Sequence, residues 1–414
     1  MPWSPNATVK INGVAKTNYT IEGLEISMGR EDIDQQANSG FAQIDFIDLP
    51  YNDIEIFDII EVTIDNYSGV DVTIFKGLVN DVQVAVFDAS GTEVHFVTSI
   101  SASGALSELA SKDANIVGYP EQKDGDRIVE VITDAFGLKW DELTSTQVWT
   151  DYTTETWNDL LGTDVSNIDV PGTYDLYDST ALPEPENALT YVQTVADSGS
   201  GYLYETPDGK IGYQDQDARA DYVSANGFVN IGKQYILADG VTVTTSKNDI
   251  INDAFVTYGS NQDSVETEEL DSISIYGRVT DTTKTFLKNQ SDAETLADRI
   301  VLLNAYPQPI IQQIGIQIDA PSMSSTLLNS LVNVFFGMPI SMTDLPSLLY
   351  PNQFFGYTEG WTWRIDRFNA QLFLNVSDVT FSAIPVAWQD VYVGETWSTI
   401  DPALDWQNAL LGVN

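Results

Sequence analysis

The residue types that could carry out chemistry are few. Among 414 residues there is one histidine, His95, and no cysteine. His95 lies in an alternating, strand-like pattern with no nucleophile motif beside it, which argues against a Ser-His-Asp or Cys-His arrangement. Zinc needs several His or Cys ligands, and no glycine-rich phosphate-binding motif opens a helix. The sequence therefore predicts neither triad hydrolysis nor zinc or nucleotide binding.

Carboxylates are the chemical group in excess, with 61 Asp and Glu against 18 Lys and Arg. A glycosidase needs two carboxylates flanking a cleft, and counting does not exclude such a pair. The aromatic residues that could line a sugar cleft are Trp140, Trp149, Trp157 and Tyr174. The interpretation we favour is that these side chains anchor loops onto the core or onto a neighbouring subunit. We therefore expect no enzyme activity and assign no catalytic residue.

Two Asp-x-Asp stretches are candidate calcium ligands. They are Asp124-Gly125-Asp126 and Asp215-Gln216-Asp217. Neither continues into the EF-hand pattern, which needs further ligands and a distal Glu. We assign no metal-binding or cofactor-binding residue, and calcium binding stays open at this point.

The acidic excess gives a formal net charge of −43 and is spread along the whole chain. Such a chain has no basic patch with which to displace counterions from the phosphates, so the sequence argues against nucleic-acid binding driven by counterion release. Two interpretations of the charge remain. One is a solvated surface suited to a salty environment, and the other is a negative lumen past which DNA slides without sticking.

Charge repulsion gives a first testable prediction. Repulsion among so many carboxylates is screened by salt. We expect the melting temperature to rise from low to molar NaCl, measured by circular dichroism. A flat response would show that the charges do not destabilise the folded chain.

The secondary-structure patterns divide the chain into three regions and a tail. Six alternating, strand-like runs fill residues 9–101 without a helix, which is typical of an antiparallel barrel or sandwich. Helical periodicity at 126–136 and 186–196, with a hairpin signal around Pro207-Asp208-Gly209, indicates an α+β region. Strands resume after 241, at 241–245, 253–258 and 272–279, and are interrupted by one helix at 291–303 that begins with a capping-box pattern. We predict a mainly β (α+β) protein with domains at 1–105, 106–235 and 236–388, followed by a C-terminal strap at 389–414.

An internal repeat connects the first and third regions. Asp58 precedes Gly77 by 19 residues, and Gly337 precedes Gly356 by the same spacing, each within a strand–turn–strand pattern. After each of the second glycines comes a long β stretch, a turn and a closing strand. We interpret this as two copies of one β motif, and hence as two related barrels around an α+β insert. The alternative is two unrelated hairpins that share a common glycine.

A large aromatic side chain recurs every nine residues, just before the C-terminal strap at Trp388 and within it at Trp397 and Trp406. Exposed aromatics with little core of their own usually dock onto something. We predict partner-binding residues at these three positions. The alternative, a tail packed on its own domain, stays equally open. The longest apolar run, at 327–340, is too short and too interrupted to span a bilayer.

The order of these motifs resembles that of the hub-type minor tail proteins of long-tailed phages, which are related in fold to the baseplate hub of contractile-tail phages. Each motif alone is weakly specific, but together they extend to about residue 387. The stretches that carry the resemblance are VKING at 9–13, SMGR at 27–30, SGFA at 39–42, FKGLVNDV at 75–82, ENALTYV at 186–192, GYLYE at 201–205, DGKI at 208–211, NDAFV at 252–256, SIYGR at 274–278, the helix at 291–303, and Pro307.

The resemblance implies two tail-tube-like antiparallel β-barrels with an α+β insert domain. It implies a homotrimer that forms a pseudo-six-fold ring continuing the tail tube, with DNA passing through an acidic lumen. The implied partners are the distal tail or tube protein, the tape measure, and a central fibre or spike. The implied location is the tail tip of the virion, assembled in the host cytoplasm. The rival functions are a tail-associated glycosidase or depolymerase, and a carbohydrate- or receptor-binding tail protein.

Overall fold

The structure is a computed structural model, which describes most of the chain. The described residues are 6–31, 35–88, 94–114, 118–141, 164–180, 186–216, 218–307, 310–343, 345, 353–367 and 369–379. Trp149, Trp157 and the predicted partner-binding residues Trp388, Trp397 and Trp406 lie outside these ranges.

The first part of the chain is β-structure, as the alternating pattern predicts. In β3, for example, Leu24, Ile26 and Met28 are buried while the residues between them are more accessible, which is the period of a half-buried strand. The strands of this N-terminal half are β1 (Ala7–Ile11), β2 (Val14–Ala15), β3 (Thr20–Gly29), β4 (Asn38–Ile47), β5 (Ile59–Asp65), β6 (Asp71–Asp88) and β7 (His95–Ser103).

The middle region is α+β. Its helix α3 begins at an Asn187 cap whose side chain accepts hydrogen bonds from the backbone N–H groups of Leu189 and Thr190, and Gly199 ends it. The elements of this region are α1 (Ala105–Ala110), β8 (Gln122–Lys123), α2 (Asp124–Asp141), β9 (Asp175–Leu176), α3 (Ala188–Ser198), β10 (Tyr202–Glu205), β11 (Ile211–Gln214), α4 (Ala218–Asn226) and β12 (Val229–Asn230).

The C-terminal half resumes the strands but contains a second insertion. A small module, residues 247–307, separates β13 from β17 and has its own three-stranded sheet, β15-β14-β16. The elements of this half are β13 (Ile236–Thr244), β14 (Asp253–Tyr258), β15 (Asp263–Glu268), α5 (Leu270–Tyr276), β16 (Thr280–Thr283), α6 (Gln290–Asn304), β17 (Ile310–Gln317), α7 (Ser325–Val332), β18 (Pro339–Met342), β19 (Phe354–Asp366) and β20 (Ala370–Asp378).

Both halves belong to one large, almost entirely antiparallel sheet. Its strand order is β13-β17-β20-β19-β3-β4-β7-β6-β5-β1-β2, with β18 on the β3 side of β19 and β12 parallel to β18. A single hydrophobic core runs through both halves and the middle region. The mainly β class predicted from the sequence is therefore confirmed, with an antiparallel sheet at its centre.

The internal repeat is visible in the pairing of strands. Gly77 lies opposite Ile60 in the β5–β6 pair, and Gly356 lies opposite Ile340 in the β18–β19 pair. A Cβ on either glycine would meet the same two groups. These are the ring of a Phe two residues earlier in the strand and a serine carbonyl oxygen on the next strand. The two glycines of the sequence repeat thus occupy equivalent places.

The repeat extends to an irregularity of the backbone. Just after Gly77, the β6–β7 ladder has a bulge between Val79 and Asp81. The β19–β20 ladder has a bulge at the corresponding place, between Thr358 and Gly360. A bulge inserts one unpaired residue and re-aims the strand. Its recurrence at the same offset supports two copies of one motif over two unrelated hairpins.

The two glycines give a second prediction. Replacing Gly77 or Gly356 by Ala places a methyl group about 2 Å from a backbone carbonyl oxygen, at distances of 2.4 Å and 2.1 Å respectively. We expect each variant to lose about 2 kcal/mol of unfolding free energy, because overpacking against backbone cannot relax cheaply. Urea denaturation measures the loss. The matched control is Gly23→Ala in β3, where the nearest atom lies 3.8 Å away. An equal loss in the control would show that the close approach is not the cause, and clearly unequal losses at Gly77 and Gly356 would contradict their equivalence.

Several details differ from the sequence predictions. Residues 272–279 were expected to be a strand, but Leu270–Tyr276 forms α5, capped by the Glu269 side chain. The helix expected to start with a Ser291 capping box instead begins at Gln290 after Asn289, with no side-chain cap. The helices α1, α4 and α7 were not predicted. No helix in the described part of the chain is long and apolar enough to cross a bilayer.

Candidate functional site

The two halves meet where β3 pairs with β19. The ladder runs in register from Gly29 opposite Gly360 to Gly23 opposite Asp366. At its start the Arg30 N–H donates to the Glu359 carbonyl oxygen, and Gly29, at φ +85°, comes so close to Glu359 that a Cβ would lie 2.4 Å from that oxygen. This contact requires glycine, and it fixes the relative position of the halves.

A buried ionic group, the junction cluster of Arg30, Arg219 and Glu359, lies beside this contact. Arg219, on α4, donates from Nη1 to Glu359 Oε1 at 2.7 Å and from Nη2 to Oε2 at 2.9 Å. Arg30 donates from Nε to Glu359 Oε2 at 2.8 Å, and Ser377 hydrogen-bonds to Oε1. The cluster thereby connects β3, β19, β20 and the middle region through one carboxylate.

Aromatic rings enclose the junction cluster. The Arg219 guanidinium lies 3.7 Å from the Tyr202 ring centroid and 5.0 Å from that of Phe336, and Arg30 lies over the same two rings. Cations over aromatic faces gain electrostatic attraction when desolvated. Both guanidiniums are therefore held by the ring faces as well as by Glu359.

The electrostatics of the junction cluster favour an ionised Glu359. Burial alone would raise its pKa, but Arg219 and Arg30 outweigh burial and lower the pKa to about 2. Removing one partner from such a group leaves an uncompensated buried charge, which costs several kcal/mol. The cluster therefore acts as a structural connection between three parts of the chain.

A second buried carboxylate joins the middle region to the N-terminal half. Glu205, at the end of β10, accepts hydrogen bonds from the backbone N–H groups of Gly40 and Leu106, each at 3.2 Å. A Cβ on Gly104 would lie on top of its Oε1, so only glycine fits there. Burial raises the Glu205 pKa to about 7, although these N–H groups lower it. A raised pKa is typical of general acids, but this side chain is fully enclosed and holds the start of α1.

The two candidate calcium stretches are used differently. Asp124 is buried and accepts hydrogen bonds from Tyr213 Oη at 2.5 Å and from the Tyr174 N–H at 3.1 Å. Asp215 accepts from the Ala218 N–H at the start of α4, and Asp217 lies outside the described residues. In the structure, therefore, Asp124 acts as a core hydrogen-bond acceptor and Asp215 caps a helix.

A group of three carboxylates on the small module was missed by the sequence patterns. Asp253, Glu266 and Glu268 offer oxygens within 4.8 Å of one another. Arg278 lies among them, with Nη1 2.9 Å from Asp253 Oδ2 and Nη2 2.5 Å from Glu268 Oε2. Because the guanidinium already supplies positive charge to these oxygens, the group is an ion-pair network.

The remaining sequence candidates are dispersed. His95 Nδ1 lies 2.8 Å from Asp48 Oδ2, at the start of β7. Tyr174 donates to Gln216 Oε1 at 3.3 Å, within the middle region. Trp140 lies in α2. His95 and Tyr174 therefore lie in different parts of the fold, β7 and the middle region.

Part of β6 and one side of β13 are among the strand edges that stay open in the described part of the chain. β5 pairs with one edge of β6 as far as Leu78, and Val79 still exchanges backbone hydrogen bonds with Phe57 and Asp58 on that edge. Beyond Val79 the described strands leave this edge of β6 unpaired to Asp88, and β13, which pairs only with β17, ends the strand order on the side of the C-terminal half. The open part of β6 carries Val84 and Val86, which are 39% and 60% exposed. Open edges with apolar side chains are templates for pairing with another chain.

The sequence signals missed most of this site. The members of the junction cluster lie 140 to 329 residues apart along the chain, so no local spacing connects them. Two of the stretches that carry the family resemblance nevertheless lie at the site. These are the SMGR stretch at 27–30, which ends at Arg30, and the FKGLVNDV stretch at 75–82, which leads into the unpaired part of β6.

Two solved structures have a similar fold over nearly the whole chain. A tail protein from Neisseria meningitidis MC58 superposes with a TM-score of 0.60 at 10% identity, covering 92% of this chain and 98% of that one. The 43 kDa tail protein of prophage MuSo2 from Shewanella oneidensis superposes with a TM-score of 0.56 at 10% identity, covering 91% and 99%. No known family profile and no curated protein matches the sequence. The resemblance to phage tail proteins is thus confirmed at the level of the fold.

Proposed function

We propose that this chain is a structural tail protein of a virus particle, a hub that forms a trimeric ring at the tail tip. The observation that carries the proposal is the pair of related halves, joined side by side by the β3–β19 ladder with an open strand edge left on each half. Such a unit leaves edges at which a neighbouring copy can continue the sheet. Three copies of two halves each give six similar positions around an axis, which suits the end of a six-fold tube.

The chemistry supports a mechanical role. Several of the deeply buried charged side chains described are engaged in holding elements together. Among them are Glu359 and Arg219 between the halves, Glu205 at α1, and Asp124 and Arg127 in the middle region. None of these carboxylates forms a cleft pair of the glycosidase kind. The net charge of −43 suits a lumen through which DNA passes by like-charge repulsion.

The proposed partners are the neighbouring tail proteins on either side of the ring. These are a distal tail or tube protein with the tape measure on one side, and a central fibre or spike on the other. Trp388, Trp397 and Trp406 are proposed contact residues for one of them. The proposed location is the tail tip of the virion, after assembly in the host cytoplasm.

Light scattering on a sizing column tests the ring. At low and at molar salt, we expect a particle of about three times the chain mass of 45.6 kDa, and negative-stain images should show a central channel. Salt should favour assembly by screening the acidic copies from one another. A monomer at all salt and protein concentrations would contradict the ring and favour a glycan-binding role, which glycan arrays would then examine.

A further inference from the structure

We infer that neighbouring copies of this chain join by pairing the open edge of β6 with the open edge of β13, in a register that the internal repeat specifies. This inference deepens the proposed function, because it rests on the ring and names its seam. The β3–β19 ladder inside the chain serves as the template for a ladder between chains. Each strand of the seam has an equivalent strand in the other half of the chain.

The first equivalence is between β6 and β19. Both strands carry the glycine, then the bulge, then a straight segment. After the bulge, Asp81 pairs with Ser101, and Gly360 pairs with Asn375. The segment that begins at Gly360 pairs with β3 along its other edge. The segment that begins at Asp81 is its counterpart, and that same edge is open.

The second equivalence is between β3 and β13. It follows from one row of paired residues across each half. In the N-terminal half the row ends on β3, and its members are Val82, Ile100, Ile44 and Leu24. In the C-terminal half the row ends on β13, and its members are Trp361, Leu374, Ile314 and Val241. Leu24 and Val241 therefore hold the same place.

The register follows from these equivalences. Inside the chain, Trp363 pairs with Ile26, and Ile365 pairs with Leu24. Between chains, the corresponding pairs are Val84 with the neighbour's Val243, and Val86 with its Val241. Inside the chain the intervening pairs are polar, Thr362 with Ser27 and Arg364 with Glu25. Between chains they are Gln83 with Thr244 and Ala85 with Thr242.

The chemistry of the seam fits this register. Each exposed valine of β6 meets a β-branched side chain of β13, which is a favourable cross-strand pair. The segments 82–86 and 240–244 carry no charged residue, although the chain has a net charge of −43. A neutral seam avoids the repulsion that any two other acidic surfaces of these copies would meet.

The pairing has to occur between different copies. In the sheet order, β17, β20, β19, β3, β4 and β7 separate β13 from β6, and the two strands are not paired with each other within the chain. The contact is also heterologous, because β6 of one copy meets β13 of the next. A heterologous contact generates a ring or a filament rather than a closed dimer.

Engineered cysteines test the seam, and the chain offers a clean background because it has none of its own. Paired strands place opposite Cα atoms within disulfide reach. One preparation carries Val84→Cys and a second carries Val243→Cys. Each is oxidised alone with diamide, and then the two are mixed, unfolded, refolded together and oxidised. We expect the mixture to give at least about tenfold more disulfide-linked dimer than either variant alone, given the strict geometry of the bond.

The matched control replaces Val84→Cys by Val14→Cys, which is 62% exposed on β2 at the far end of the sheet, and it should not link to Val243→Cys. A dimer of Val84→Cys with itself would overturn the proposal in favour of an isologous contact. No linkage in the mixture would overturn it as well, because paired strands would hold the two cysteines within disulfide distance.

Different outcomes reject the proposed seam and the proposed ring. A trimer by light scattering whose Val84→Cys and Val243→Cys chains do not link keeps the ring and rejects this seam. Linked chains that extend into filaments keep the seam and reject the closed ring. A double variant with both cysteines should give three linked chains as its largest product if both hold.

Discussion

Replacing Glu359 by Gln is expected to remove about 3–5 kcal/mol of unfolding free energy, because it leaves the buried Arg30 and Arg219 without their shared carboxylate. The pKa shift of Glu359 gives the direction in which its contribution to stability changes with pH. The folded pKa of Glu359 is lowered to about 2 from an ordinary value of 4.5, so its stabilisation is present above pH 4.5 and is lost as the pH falls from there toward 2. Urea denaturation at pH 7 and at pH 3 measures both effects.

The matched control lies on the same ladder. Glu25 is an exposed partner of Arg364, with 3.4 Å between Oε1 and Nη2, and Glu25→Gln should change stability by about 1 kcal/mol at most. A further variant separates lost charge pairing from lost packing. Glu359→Gln combined with Arg219→Met should lose clearly less than the sum of the two single losses, because one uncompensated cation is gone. Additive losses would show that the cluster is not an ionic unit.

For Glu205, we expect stability to depend on pH in the opposite direction to that at Glu359. Burial raises the folded pKa of Glu205 from 4.5 to about 7, so its protonation favours the folded state below pH 4.5, and that advantage is lost as the pH rises toward 7. The Gln side chain of the Glu205→Gln variant is neutral at every pH and can still accept from the N–H groups of Gly40 and Leu106. At pH 8 we expect the variant to be about 2–3 kcal/mol more stable relative to wild type than at pH 5.

The measurement is the difference between variant and wild type in denaturant midpoints from pH 5 to pH 8. Taking the difference removes the contribution of the other buried carboxyls, such as Asp124, whose pKa is also raised by burial. Glu108→Gln in α1 is the control for the substitution itself. A difference for Glu205→Gln that does not change between pH 5 and pH 8 would mean that this carboxyl reaches solvent in the folded chain.

The part of the fold that the sequence predicted is the part governed by local periodicity. The spacing of Gly77 and Gly356 after their upstream partners predicted the repeat, because a glycine in a strand marks a close backbone approach that each copy has to preserve. Helix α3 was located by its apolar face and by Gly199. These signals depend on neighbours in the chain, so they can be read from it directly.

The failures have a common physical cause. Ile273 and Ile275 alternate with polar residues and suggested a strand, but in α5 it is Ser272 that is buried, hydrogen-bonded to the Ala305 carbonyl, while Ile275 is 66% exposed. Tertiary contacts overrode the local pattern there. The junction cluster could not be predicted from the sequence for the same reason, since Arg30 and Glu359 meet only after the halves have paired.

The β3–β19 ladder has a consequence for the fidelity of assembly. Because one polypeptide carries both halves, they are always produced in equal number, and their mutual contact forms at an effective concentration that dilution does not change. A sheet built from two separate chains would need both partners at matched levels and would fall apart at either kind of contact. Here, dilution can open only the contacts between copies, so every dissociation product keeps its two halves in the correct order.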